Sequence, residues 1–399
     1  MTQSRSRWSV IAAFSLVGAS TQMVWLTFAP VTSVAAERYG VSVSAIGWLA
    51  NVFVLAFVLL AIPAGLLLDR WLRPALALGG VLTAVGAALR LVGDDYTWLL
   101  IGGLVAALGQ PIMLTGIAGL TRGYLAPADR AKGIALATAS TWAGFIAAFA
   151  LGTVFSTTSQ MPALLVAQAG YAVLAAVVLL VALRAPAPFA GGQPVGDVAS
   201  SLRDVRQAWG DPLVRVLCCV AFIPFGTFIA LTTWTEALLK PAGVGVDQVG
   251  IILIVNIVAG VVGTATLPVW AAKHRMEAQI GLVGVAVTAA GCVAMAIAPG
   301  FVVALVALAL AGFLLLPMLA VVLELIESHA GDLEGVASGL VWAIGNLGGL
   351  IVAGVVSFTV DESTLSFLLL AVVTLLAVPF LTRLGKRLAS HPGRESLTH

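Results

Sequence analysis

Apolar residues run through this chain in long unbroken blocks, and polar residues collect in short gaps between them. A helix needs about 20 mostly apolar residues to cross a bilayer. Twelve blocks reach spanning length, at 9–35, 45–68, 73–93, 98–124, 131–155, 162–184, 213–240, 247–273, 277–297, 300–327, 331–357 and 364–386. Transmembrane strands would instead alternate in polarity over segments of about 10 residues, and these blocks do not alternate. The pattern predicts an all-α integral membrane protein of twelve transmembrane helices.

The longest gap, 185–212, divides the spans six and six. It opens on Ala-Pro-Ala-Pro and a Gly-Gly pair, residues suited to an extended, flexible connection. Inside it Val198, Leu202, Val205 and Trp209 recur at helical spacing, opposite Arg203 and Asp204. That spacing predicts a short amphipathic helix on the membrane surface. The expected organisation is a six-helix bundle over 1–184, a cytoplasmic linker over 185–212, a second bundle over 213–388 and a tail over 389–399.

Composition agrees with the pattern: 60% of residues are apolar and 10% charged, against roughly 25% charged in soluble domains. The formal net charge of +2 hides an asymmetry between alternate gaps. Arg5 and Arg7 precede the first span, and Arg70 and Arg73 follow the second. Arg122, Arg130 and Lys132 follow the fourth, and Arg184, Arg203, Arg206 and Arg215 surround the central gap. Lys273 and Arg275 follow the eighth, and Arg383, Lys386, Arg387 and Arg394 close the chain. The opposite gaps carry Asp94, Asp95, Asp361 and Glu362, with Arg38 and Lys240 as exceptions. The positive-inside rule then puts both termini in the cytoplasm, with the chain in the inner or plasma membrane. The first apolar run is too long for a signal-peptide core and lacks a small-residue cleavage site, so it is expected to stay as a helix. Cys218, Cys219 and Cys292 lie inside apolar runs without metal-type spacing and are expected to pack as small hydrophobes.

The same features narrow the function. The basic residues form the inside-facing belt of a membrane protein, so nucleic acid is not an expected partner. His274, His329, His391 and His399 fall in gaps or the tail, and the chain carries no phosphate loop or nucleophile constellation. An enzyme is therefore not expected, nor a cofactor. The expected partners are a small-molecule substrate and membrane lipid, with the chain acting as a monomer.

Polar groups inside spans are costly and need a partner, a cavity or a lumen. Gln22 and Trp25 stand three apart on one face of span one. Span four carries Gln110-Pro111 and span seven carries Pro224, Phe225-Gly226-Thr227-Phe228 and Thr232. Proline removes a helix bond at each, which predicts breaks near mid-membrane. Span eleven carries Trp342 and Asn346, with Gly345, Gly348 and Gly349 permitting close approach. Gln22, Trp25, Gln110, Phe228, Thr232, Trp342 and Asn346 are the candidate substrate-binding residues. Glu236, Glu324 and Glu327 are candidate proton or cation carriers. For each carboxylate there is a plainer alternative, Glu236 as an interfacial group near Lys240 and the other two as partners of basic loops. Arg90 is expected to snorkel beside Asp94, four residues on.

Gly65-Leu66-Leu67-Leu68-Asp69-Arg70, with Arg73 shortly after, resembles the Gly-x-x-x-Asp-Arg loop of the major facilitator superfamily, whose halves are related bundles of six spans. A Trp and a Leu stand where small or Gly residues are common. The resemblance implies a cytoplasmic latch, in which Asp69 meets a helix N-terminus and Arg70 and Arg73 meet acids. It also implies that spans one, four, seven and eleven contribute to a central cavity used by alternating access.

A closer resemblance rests on Ile46-Gly47-Trp48-Leu49-Ala50, Ile62-Pro63-Ala64, Gly86-Ala87-Ala88-Leu89-Arg90, Gly109-Gln110 and Glu334-Gly335-Val336-Ala337-Ser338-Gly339-Leu340. These segments are similar to the feline leukaemia virus subgroup C receptor family, whose members move choline and ethanolamine and have been linked to haem export. Its aromatic and amide cavity positions fall on Trp25 and Gln110, which match, and on Phe228 and Asn346, which replace a tyrosine and a glutamine. The resemblance implies facilitated transport of a small cationic amine. The alternatives are a proton-coupled exporter of drugs or metabolites, or a small-anion carrier of the cyanate and nitrate type. Span five reads Ala143-Gly144-Phe145-Ile146-Ala147, without the Gly-Pro signature of drug antiporters. Arg90 is too shallow in its span for an anion carrier.

Overall fold

The computed structural model describes residues 6–189, 198–329 and 333–390. Arg5, Arg394, His391, His399 and residues 190–197 of the expected linker lie outside the described residues. So does the expected tail from 391 onward.

All the described regular structure is helical, and it divides into two compact units at Val198/Ala199. In the first unit lie α1 (Trp8–Trp25), α2 (Thr32–Tyr39), α3 (Val43–Leu89), α4 (Tyr96–Tyr124), α5 (Arg130–Val154) and α6 (Met161–Ala182). After α7 (Val198–Gly210), the second holds α8 (Pro212–Leu239), α9 (Val246–His274), α10 (Glu277–Ile297) and α11 (Phe301–Glu327). It ends with α12 (Glu334–Val356), α13 (Ser363–Leu375) and α14 (Val378–Ser390). Among the described residues, eleven helical segments are long and apolar enough to cross a membrane. One of them, α3, is 47 residues long and bends at Trp71, whose backbone leaves the helical region (φ −141°, ψ 60°). Its two arms correspond to the expected second and third spans, so the kink accounts for the difference between eleven segments and twelve spans.

The first span departs from expectation. Instead of running over 9–35, α1 ends at Trp25, and turns over 26–31 lead into the short α2. The breaks expected at prolines are absent: α4 continues through Pro111 and α8 through Pro224. Neighbouring helices and hydroxyls re-satisfy backbone freed by proline in membrane helices, so a packed span can run on through one.

Within each unit, long helices cross where glycine removes the side chain. In the first, α1 packs on α5 and α3 on α4; in the second, α8 packs on α12 and α9 on α11. A Cβ at Gly144 would overlap the backbone of Ala19, and one at Gly348 the backbone of Phe222. Without a hydrophobic force to drive helices together in lipid, such close approach supplies the packing energy. Gly109 meets Gly79 O in the same manner on α4 and α3, at 2.6 Å from an added Cβ.

Gly348→Ala should force α8 and α12 apart, costing about 1–3 kcal/mol as overpacking does. Gly170→Ala, in α6 with open space beside it, should be neutral or slightly stabilising because alanine favours helix. Melting temperatures of the two purified variants in detergent check the contrast.

Candidate functional site

The α1–α5 crossing sets the first cluster of side chains. Gly144 fixes the contact at Ala19, so the next positions on that face of α1, Gln22 and Trp25, lie against α5. Trp25 meets Phe145 edge-on at 5.6 Å, and Phe145 meets Trp142 edge-on at 5.4 Å. The Trp25 indole N–H donates to Ala50 O of α3 at 2.9 Å, which fixes the ring. Gln22 and Gln110 are both buried, and Gln110 Nε2 stands 3.5 Å from Gln22 Oε1. Aromatic faces and carboxamides thus adjoin along the inner turns of α1.

The second unit repeats the geometry with different side chains. Gly348 fixes α12 on Phe222, and the positions three and six residues on are Phe225 and Phe228. Those rings stack at 6.4 Å, and Phe225 meets Trp342 edge-on at 6.1 Å. Asn346 Nδ2 donates to Trp342 O at 2.9 Å and Thr232 Oγ1 to Phe228 O at 2.9 Å. Both bonds stay inside their own helices, so neither side chain ties two helices together. Trp234, fully buried, does so instead, donating to Ala353 O at 2.9 Å.

Residues 12–353 match the Major Facilitator Superfamily. The chain belongs to that superfamily. It is accordingly a multi-pass membrane transporter and not an enzyme. The likeness to curated proteins is more local. A stretch of 67 residues is 30% identical to an uncharacterised MFS-type transporter of Caenorhabditis elegans, covering 17% of this chain and 11% of that one. Another of 65 residues is 40% identical to solute carrier family 49 member A3 of Danio rerio, covering 16% and 14%. An uncharacterised protein of Archaeoglobus fulgidus is 27% identical over 184 residues, which is 46% of this chain and 83% of that one. The chain therefore spans only small parts of the two animal proteins it matches. Among solved structures, it is similar to a bacterial homologue of the human lysosomal transporter Spinster in an inward-facing, unoccupied conformation. That similarity has a TM-score of 0.78 at 16% identity, over 95% of this chain and 97% of the other. A POT family transporter in complex with 5-aminolevulinic acid gives 0.74 at 12% identity, over 97% and 98%.

In this superfamily member the loop residues Asp69, Arg70 and Arg73 all lie at the surface of the first unit. Asp69 is exposed, and the Arg70 guanidinium sits 4.7 Å from the centre of the Trp71 ring. Within its unit Arg73 meets carbonyls rather than acids. Its Nε donates to Leu183 O at 2.8 Å and its Nη2 to both Leu183 O and Arg184 O, capping the C-terminal end of α6. Cations are favoured at that end of a helix dipole.

Of the three candidate carriers, Glu236 is buried in α8, while Glu324 and Glu327 are exposed near the end of α11. Arg90 does not snorkel to Asp94. Asp94 pairs with Arg38, and Arg90 turns inward to α1. The reason is that α3 ends at Leu89, so the four-residue spacing no longer puts the two on one helical face. Trp142 and Phe145, three apart on α5, were not among the candidate binding residues, although that spacing already gave them a common face.

Arg73→Ala should free the last carbonyls of α6. A half-exposed charged hydrogen bond of this kind is worth about 1 kcal/mol. The expected result is faster amide exchange confined to the α6 C-terminus, read by hydrogen-exchange mass spectrometry.

Proposed function

We propose that the chain is a facilitative carrier for a small organic cation of the choline or ethanolamine class, working by alternating access. It would act in the inner or plasma membrane with both termini cytoplasmic, as the distribution of basic residues supports. The observation that carries this reading is the cluster of Trp25, Phe145 and Trp142 beside the Gln22–Gln110 amides. An ammonium over such rings gains roughly 0.5–1 kcal/mol when exposed and about 2 when desolvated. Carboxamides add hydrogen bonds to a hydroxyl or amine without imposing net charge. Phe225, Phe228 and Trp342, with Asn346 beside them, offer a second set of ring faces of the same chemistry. The segments similar to the feline leukaemia virus subgroup C receptor family support the same substrate class. Phe228 in place of tyrosine keeps a π face, and Asn346 in place of glutamine keeps the amide on a shorter arm.

Burial of Glu236 favours a second reading on the same fold, a proton-coupled exporter. The two readings separate in one experiment, uptake of labelled choline and ethanolamine into proteoliposomes with and without a pH gradient. The facilitator should give saturable uptake that persists without the gradient. Uptake should fall about tenfold in Trp25→Ala, the loss of about 1.4 kcal/mol of binding, and largely survive in Trp25→Phe. Choline and ethanolamine both inert would overturn the substrate class. Uptake that needs the gradient and disappears in Glu236→Gln would establish the proton-coupled reading instead.

A further inference from the structure

The junction between α7 and α8 sets the depth of α7. With 28 residues, α8 is about 42 Å long at 1.5 Å per residue. A bilayer measures about 30 Å across its hydrocarbon and about 40–45 Å with its headgroups, so a spanning α8 starts at headgroup level. Only Asp211 separates that start from α7, and its extended backbone (φ −72°, ψ 121°) turns α7 off the α8 axis. The helix is also held to the second unit by packing. Ala208 is 1% exposed, in one apolar core with Val214 and Leu217 of α8 and with Leu381 and Leu384 of α14.

At 100° per residue, the arc of α7 next to Ala208 holds Val205 and Trp209, one turn apart, and the arc beyond it holds Arg206 and Arg203. Val205 is half-buried, Trp209 is 45% exposed and both arginines are exposed. Neither arginine forms an ion pair among the described residues. A protein contact on one flank, an uncovered indole in the middle and exposed guanidinium groups on the other is the order expected of an interfacial helix.

The neighbouring elements at this end of the unit continue the pattern. Ala271, near the end of α9, belongs to the same core as Ala208. Beside it Trp270 is 44% exposed, and Lys273 and Arg275 follow, both exposed. On α14, Arg383 and Lys386 are exposed on the side away from Leu381 and Leu384. Tryptophan collects where membrane meets water, so Trp209 and Trp270 mark one level.

We propose that α7 docks on an anionic phospholipid surface, with Trp209 seated among the headgroups and Arg203 and Arg206 on lipid phosphates. The guanidinium fork matches a phosphate through two parallel hydrogen bonds. Charge complementarity selects this partner, because a layer of phosphates meets the basic residues of α7, α9 and α14 together. The docking anchors the start of α8, the helix that carries Phe225 and Phe228, and does not depend on which solute those rings receive.

The test is hydrogen exchange over residues 198–210 of the full-length protein in two kinds of nanodisc. One contains phosphatidylcholine alone, and the other an equal mixture of phosphatidylcholine and phosphatidylglycerol. Two arginines at an anionic surface favour the docked helix about thirtyfold, so α7 should exchange up to that much more slowly in the mixture. Arg203→Gln combined with Arg206→Gln should bring the ratio down to a few-fold, with exchange in α10 as in the wild type. Where the double variant does not fold, the ratio is followed in the wild type as salt rises. It should collapse as the screening length shortens, and a ratio that holds at high salt would overturn the proposal. Equal exchange in the two nanodiscs would also overturn it, as would a ratio unchanged in the double variant. Inorganic phosphate that slows α7 equally in phosphatidylcholine would assign the arginines to a soluble anion and sink the lipid surface.

Discussion

Hydrocarbon offers the peptide backbone no partner, so each buried N–H and C=O must be satisfied within its helix or by a side chain that reaches it. Most of the chain meets the requirement by helices that run without interruption, even through Pro111 and Pro224. The exception is the end of α1, where the helix stops at Trp25 and Leu26 N–H makes the last bond of the series, to Gln22 O at 3.1 Å. Beyond that point side chains take over: Arg90 reaches in from α3 to donate to Val24 O at 3.1 Å, and in the turns Thr32 Oγ1 donates to Phe28 O at 2.8 Å. Discontinuous helices at membrane depth are a device of transporters, whose freed helix ends and carbonyls can face a solute or ion. Here the interruption lies directly beside the indole that heads the aromatic cluster.

The helical blocks were legible because spanning length and lack of charge are strong, local signals. Their interruptions were not. Proline was read as a breaker, as it is in water, but in a packed membrane span neighbouring groups re-satisfy the carbonyl it frees, and α4 and α8 run on through theirs. The true break is followed by Ala29-Pro30, a signal present in the sequence but placed inside a run apolar enough to read as one span. Arg90 was misread for a related reason. Its four-residue spacing to Asp94 implied a shared face only if α3 extended past Leu89, and helix ends are the least legible feature of any sequence.

Within the cluster, the polar members of span one were visible as Gln22 and Trp25 because they interrupt apolar sequence. Phe145 and Trp142 were harder to see, since an aromatic in a span is ordinarily filler. What distinguishes them is Gly144, which lets α5 approach α1 until a Cβ there would overlap Ala19. A glycine in a membrane helix therefore says more about its neighbours than about its own flexibility: it names the point from which side-chain positions on the facing helix can be counted.

Counting from those two glycines shows how the units differ. Three and six residues beyond the contact, α1 presents Gln22 and Trp25, whereas α8 presents Phe225 and Phe228. Two residues before it, α5 presents Trp142 and α12 presents Asn346. The amide and the aromatic have exchanged helices between the two units while the crossing that positions them has stayed the same. Backbone contact at a glycine tolerates almost no change, because any added atom meets backbone that cannot move aside. The side chains one turn further on carry no such penalty. The crossing is held by the part of this arrangement that both units share, and the side chains that differ between them lie outside that contact.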